Sequence, residues 1–106
     1  MYNPVTQSLA LSRHEGLPIL IVVSNNTGYL AMKKEHQAFY PDGVSTQNDI
    51  FYGHQITDLA YEELVTPFGG FGRRVEDPED LPEAIGDAMA AIKEGRTAIL
   101  NVLVDP

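Results

Sequence analysis

Five branched apolar residues in a row, Ile19-Leu20-Ile21-Val22-Val23, follow Pro18 and stop at Ser24-Asn25-Asn26-Thr27-Gly28. The run is too short and too rich in β-branched residues for a helix. Its unbroken apolar character suits a strand covered on both faces, as in a parallel sheet. This segment directs the reading of the chain toward an α/β fold.

The neighbouring segments fit that frame. Before the run, Asn3 is a good N-cap and Pro4 a good first helical residue. The helix they open carries Val5, Leu9 and Ala10 on one side through Glu15, and Gly16 closes it. After the run, a short helix is expected from Tyr29 to about His36. Ala38 to Gln55 shows no clear period, and a connection of that length in a compact domain is often functional. Thr57 or Asp58 is expected to cap a helix through about Val65, burying Leu59, Leu64, Val65 and Phe68, with Gly69-Gly70 ending it. Phe71 to Val75 reads as a short strand.

Asp77-Pro78-Glu79-Asp80 is an acidic helix start that complements the macrodipole. Leu81, Ile85, Ala88, Met89 and Ile92 then recur at helical steps, with Pro82 tolerated in the first turn. Gly95 terminates that helix, and Thr97 to Val104 is the last strand. Three strands separated by helices imply right-handed crossovers. The expected fold is a three-layer α/β domain, a parallel sheet with helices on both faces. Its sheet is small, and the domain is expected to be incomplete at its N-terminus.

Charge excludes some partners. Seven Lys and Arg against fifteen Asp and Glu give a net charge of −8, which argues against nucleic acid and anionic membrane. The absence of Cys removes disulfides, thiolate metal sites and thiol catalysis. No stretch approaches the roughly 20 apolar residues of a membrane span, and MYNPVTQSL has no signal-peptide character. A soluble, cytoplasmic protein is the expectation.

The asparagines admit two readings. Asn25-Asn26-Thr27-Gly28 is good turn chemistry, because Asn and Gly both tolerate positive φ. It also lies at the carboxyl end of a strand, where open α/β sheets bind ligands. Asparagine and backbone carbonyls are hard oxygen donors that suit Mg²⁺ or Ca²⁺ better than zinc or copper. Asn25-Asn26-Thr27 matches a glycosylation acceptor as well, but no secretory signal accompanies it.

The helix YNPVTQSLALSRHEGLP, then PILIVVSNNTGY, FYG, FGGFGRRVEDPEDLPEAI and GRTAILNVLVDP occur in that order. Together they resemble the C-terminal, diphosphate-binding domain of thiamine diphosphate enzymes of the acetolactate synthase, pyruvate decarboxylase and benzoylformate decarboxylase type. The resemblance covers essentially all of residues 1–106, read as one truncated domain. It implies that Asn26 gives a side-chain oxygen and Gly28 a main-chain carbonyl to Mg²⁺, which clamps the cofactor's diphosphate. Asn25 and Tyr29 would support the cofactor site, and none of these residues would be catalytic. The family motif begins with Gly-Asp-Gly, which this chain lacks; it is expected just before Tyr2. The glutamate that activates the cofactor lies on a separate domain in the family. The resemblance thus implies a C-terminal part of a 2-oxo acid decarboxylase or carboligase, needing N-terminal domains, inactive alone and homo-oligomeric.

Other residues have plainer readings. His14 suits a helix C-terminus, and His36 and His54 read as solvent-exposed. Glu62-Glu63 and Glu79-Asp80 read as solvated faces; Arg73-Arg74 has the charge to bind an anion, and one Arg beside a carboxylate on the sheet edge is the more ordinary reading. Phe51 reads as core packing. From a different class, a non-catalytic α/β binding or assembly module would use the asparagine turn only structurally.

Overall fold

The computed structural model describes residues 5–105. The expected N-cap Asn3 and first helical residue Pro4 lie outside the described residues. In chain order the elements are α1 (Val5–Glu15), β1 (Leu20–Asn25), α2 (Leu30–Phe39), α3 (Val44–Asn48), a 3-10 helix Tyr61–Phe68, β2 (Phe71–Val75), a 3-10 turn Pro78–Asp80, α4 (Leu81–Lys93) and β3 (Ala98–Leu103). They group into two compact units: the chain through Ser24 with Ala60–Leu103, and Asn25–Leu59 with the residues from Val104 onward. No helix among the described residues is long and apolar enough to cross a membrane.

The first unit holds the three-stranded sheet, in the order β1-β3-β2. β2 and β3 are parallel, with Phe71 opposite Ala98 and Val75 opposite Val102. Parallel neighbours need a crossover, and α4 supplies it. Along β3, Ala98 and Leu100 face one side and join Val75, Ala84 and Ala88 under α4. Ile99 faces the other and joins Leu9 of α1 and Val65 of the 3-10 helix. This alternation gives the expected three layers, helices covering both faces. Leu100 and Ile99, at most 2% exposed, each stabilise the fold by about 1.5–3 kcal/mol through burial.

The strand covered on both faces is β3 rather than β1. Residues Ala98 to Asn101 are all buried, whereas Val22 of β1 is 56% exposed. The physical reason is position, since β3 is central and β1 lies at an edge. The stripe on α4 also differs from expectation. Ala84, Ala88 and Ala91 are buried while Ile85 and Met89 are about two-fifths exposed. Small side chains let the helix approach the sheet closely. On α1 the buried residues are Leu9 and Ser12, and Ala10 is exposed.

The segment expected as a helix from Thr57 is a 3-10 helix beginning only at Tyr61. Of its apolar residues Val65 is buried, and Leu59 and Leu64 are exposed. Gly72 fixes how it lies: a Cβ there would collide with the Glu62 carbonyl. Glu62 is half-buried and accepts from Asn101 Nδ2 at 2.7 Å, so it is not a fully solvated carboxylate. Asp77 caps the acidic start, accepting from the Glu79 N–H at 2.9 Å. Arg73 pairs with Asp87 at 2.6 Å and Arg74 with Glu76 at 2.6 Å, as expected of arginines on a sheet edge.

In the second unit, α2 extends to Phe39, and the aperiodic stretch contains α3. An antiparallel bridge joins Gly28 to Gln55.

Candidate functional site: the asparagine turn and its pocket

β1 ends at Asn25, and the next three residues form two overlapping side-chain turns. Thr27 N–H donates to Asn25 Oδ1 at 3.0 Å, and Gly28 N–H donates to Asn26 Oδ1 at 3.2 Å. These are Asx turns, each asparagine holding the backbone two residues on. The positive φ falls on neither Asn nor Gly. It falls on Thr27, at 55°, a strained conformation for a β-branched residue.

Gly28 has a different task from the one its sequence position suggests. Tyr29 N–H donates to His54 O at 2.6 Å, and Ile56 N–H donates to Thr27 O at 2.8 Å. Residues 27 and 29 thus carry the bridge bonds, and Gly28 between them turns its own N–H and carbonyl the other way. Its N–H meets Asn26 Oδ1. A Cβ at Gly28 would sit 2.7 Å from His54 O, so only glycine fits.

Asn26 and Gly28 line one pocket of about 310 Å³ with Thr27, Leu30, Lys33, Asp49, His54 and Gln55. Asn26 Oδ1 keeps a second lone pair beyond the one used by Gly28 N–H. A neutral amide oxygen of this kind suits a hard cation. No group of three or more His, Asp or Glu side chains is arranged around a metal position among the described residues. Asp49 brings the pocket a carboxylate, already held by Lys33 Nζ at 2.8 Å. That hydrogen bond, and the ammonium charge behind it, keep the Asp49 carboxyl below its ordinary value.

Of the other sequence-derived residues His54 shares this pocket, and Asn25, Tyr29, His14 and His36 do not line it. Asn25 is buried, and its Nδ2 donates to Asp58 Oδ1 at 3.3 Å. Asp58 is thereby a partner of the turn instead of a helix cap. Tyr29 is 57% exposed, and it bonds the site through its backbone. His54 is half-buried, contrary to expectation, and stacks edge-on with Phe51 at 5.8 Å. His36 is exposed as read, and His14 lies in the last turn of α1 as expected.

Sequence reasoning missed Lys33, Asp49, His54 and Gln55 as neighbours of Asn26. The one signal for the last three was the aperiodic stretch they occupy.

A strand ending in an asparagine turn, with a pocket at that turn, defines a ligand-binding domain of the α/β class. The chain belongs to the thiamine pyrophosphate enzymes: residues 1–102 match the model of their C-terminal TPP binding domain. It is 28% identical over 92 residues to a 2-hydroxyacyl-CoA lyase of Oryza sativa subsp. japonica, covering 85% of this chain and 15% of that protein. It is 31% identical over 104 residues to an acetolactate synthase of Mycobacterium leprae, covering 97% of this chain and 16% of that protein. The chain therefore spans only 15% and 16% of the lengths of these two curated relatives. No solved structure matches it.

Proposed function

We propose that this chain is the C-terminal part of one thiamine diphosphate-binding domain in a longer Mg²⁺-dependent 2-oxo acid decarboxylase or carboligase. The observation that supports this reading is that Asn26 and Gly28 line one pocket at the turn after β1, in a chain of this family. Asn26 would bind Mg²⁺ through its free lone pair and Gly28 through its carbonyl, together holding the diphosphate end of the cofactor. Bound there, thiamine diphosphate would supply the nucleophilic carbon and electron sink that decarboxylation of a 2-oxo acid requires.

The chain's own residues hold and orient. Asn25, tied to Asp58 and to Thr27 N–H, keeps the turn in shape. Tyr29 and Ile56 pin it through their backbones. Mg²⁺ prefers six oxygens and a carboxylate to offset its charge, and these residues offer two neutral oxygens. The remaining ligands and the activating glutamate are assigned to the rest of the longer protein, so this chain alone would be inactive. Exposed Leu11, Leu17 and Val22 favour self-association, which sedimentation velocity would register as species larger than a monomer.

Calorimetric titration of thiamine diphosphate in Mg²⁺ tests the reading. In the longer protein, Asn26→Ala is expected to weaken cofactor binding by at least about tenfold, in the range seen when metal-site partners are removed. Residues 1–106 alone are expected to bind weakly or not at all. Unchanged affinity in the Asn26→Ala protein, or micromolar binding by the chain alone, would overturn it.

A further inference from the structure

Lys33 is the one lysine or arginine among the residues that line the pocket at the asparagine turn, and an exposed carboxylate holds it there. We propose that Lys33 is a second anchor for the cofactor's diphosphate, and that Asp49 holds the ammonium in readiness until the diphosphate takes that bond over. This rests on the reading of Asn26 and Gly28 as the metal-binding turn and deepens it.

The pocket lacks charge for an anion apart from Lys33. A diphosphate ester carries more negative charge at neutral pH than one Mg²⁺ offsets. Asn26 and Gly28 bring neutral oxygens, which serve a metal and repel an anion. The chain as a whole carries a net charge of −8, so a diphosphate approaches it against an unfavourable field. A single ammonium inside the pocket counters both effects at the point where they act.

Lys33 is placed for this task. It lies in α2, the helix that follows the turn, and its side chain is only 20% exposed. The ammonium is therefore kept against the protein instead of reaching into water. It lies 4.9 Å from the centre of the Phe51 ring, whose face attracts a cation. That contact does not involve Asp49, so it persists when the ion pair opens.

Asp49 is placed to let go. Its carboxylate accepts from Lys33 Nζ at 2.8 Å, yet its side chain is 74% exposed. A carboxylate that faces water keeps much of its hydration and gains little from an ion pair. An ammonium has three donors and Asp49 engages one of them. The exchange can therefore pass through a state in which both anions are bound, with no bare charge at any stage. Asp49 ends α3 in the left-handed conformation, at φ 50°, which asparagine also tolerates. Asp49→Asn thus removes the charge and leaves the backbone undisturbed.

The test uses the longer protein that contains this chain. Calorimetry in Mg²⁺ measures the affinity for thiamine diphosphate and for inorganic pyrophosphate, which shares only the diphosphate. Lys33→Met is expected to weaken both by about tenfold, and Lys33→Arg to restore most of the loss. Asp49→Asn is expected to tighten both by about threefold, because the ammonium is freed in advance. In the protein carrying Lys33→Met and Asp49→Asn together, that gain is expected to vanish. An ion pair with a structural role alone would give losses of the same sign in both single variants.

A crystal structure of the wild-type protein with Mg²⁺ and thiamine diphosphate reads the exchange directly, even if a variant fails to fold. Lys33 Nζ is expected within hydrogen-bond distance of a diphosphate oxygen and beyond salt-bridge distance of Asp49. Unchanged affinity in Lys33→Met, or an ammonium still paired with Asp49 and apart from the diphosphate, would overturn the assignment. Weaker binding in Asp49→Asn would overturn it too, since the carboxylate would then be serving the metal. If Asn26→Ala weakens cofactor binding and Lys33→Met does not, the role of Lys33 falls and the site at Asn26 stands. If thiamine diphosphate does not bind, both fall.

Discussion

Thr97 donates its hydroxyl hydrogen to Ser12 Oγ across 2.6 Å, tying α1 to the residue that precedes β3. Proton accounting fixes the direction. Ser12 spends its one hydrogen on Leu17 O at 2.7 Å, so Thr97 must be the donor between them. Thr97 Oγ1 in turn accepts from Ile19 N–H at 3.2 Å. Both residues are buried, so this chain of bonds has little access to water. Thr97→Val keeps the shape, strands Ile19 N–H and leaves Ser12 Oγ only its bond to Leu17 O. It is expected to cost about 2 kcal/mol, read as a lower urea midpoint with an unchanged slope.

Thr27 stores strain at φ 55° in the turn after β1. Asparagine tolerates the left-handed region far better than a β-branched residue does. Thr27→Asn is therefore expected to stabilise the protein by about 1 kcal/mol, seen as a higher urea midpoint. A lower midpoint would show that the Thr27 side chain contributes more than its backbone costs.

Gly72 lies against the Glu62 carbonyl, with no room for a methyl group. The obstacle is backbone, which cannot rotate aside as a long side chain can. Gly72→Ala is expected to destabilise by about 2–3 kcal/mol through overpacking. Gly86→Ala, where a new Cβ meets nothing within 4 Å, is the matched control and is expected to be neutral or mildly stabilising.

Asp49 titrates below its ordinary value of 3.8 because Lys33 donates a hydrogen bond to it and carries the opposite charge. The folded value is depressed, so the contribution of the pair is present above the unfolded value. It is lost as the pH falls through the folded one. Carboxyl NMR titration is expected to give Asp49 a midpoint below 3.8, and Lys33→Met to return it toward that value.

Much of the fold was legible because each strand announces itself. Ile19 to Val23, Phe71 to Val75 and Thr97 to Val104 were readable as strands, and the structure places β1, β2 and β3 on them within a residue or two. Which strand is central was not readable, since it depends on pairing and not on the apolar run itself. The buried face of α4 was misread because large residues were weighted over alanines, while close packing on the sheet favours Ala84, Ala88 and Ala91.

At the site, Asn26 and Gly28 were legible as a pair because they are two residues apart in one turn. Lys33 and Asp49 were not, because they meet only when α3 ends with Asp49 in the left-handed conformation, at φ 50°. No periodicity records that contact.

The strand order has a consequence for how the protein is made. The middle strand, β3, is synthesised after both of its neighbours, which pair with it and not with each other. During synthesis β1 and β2 therefore wait without their shared neighbour until Ala98–Leu103 leaves the ribosome. Pairing within this sheet is therefore non-local and late, the kind of step that is slow and exposed to aggregation.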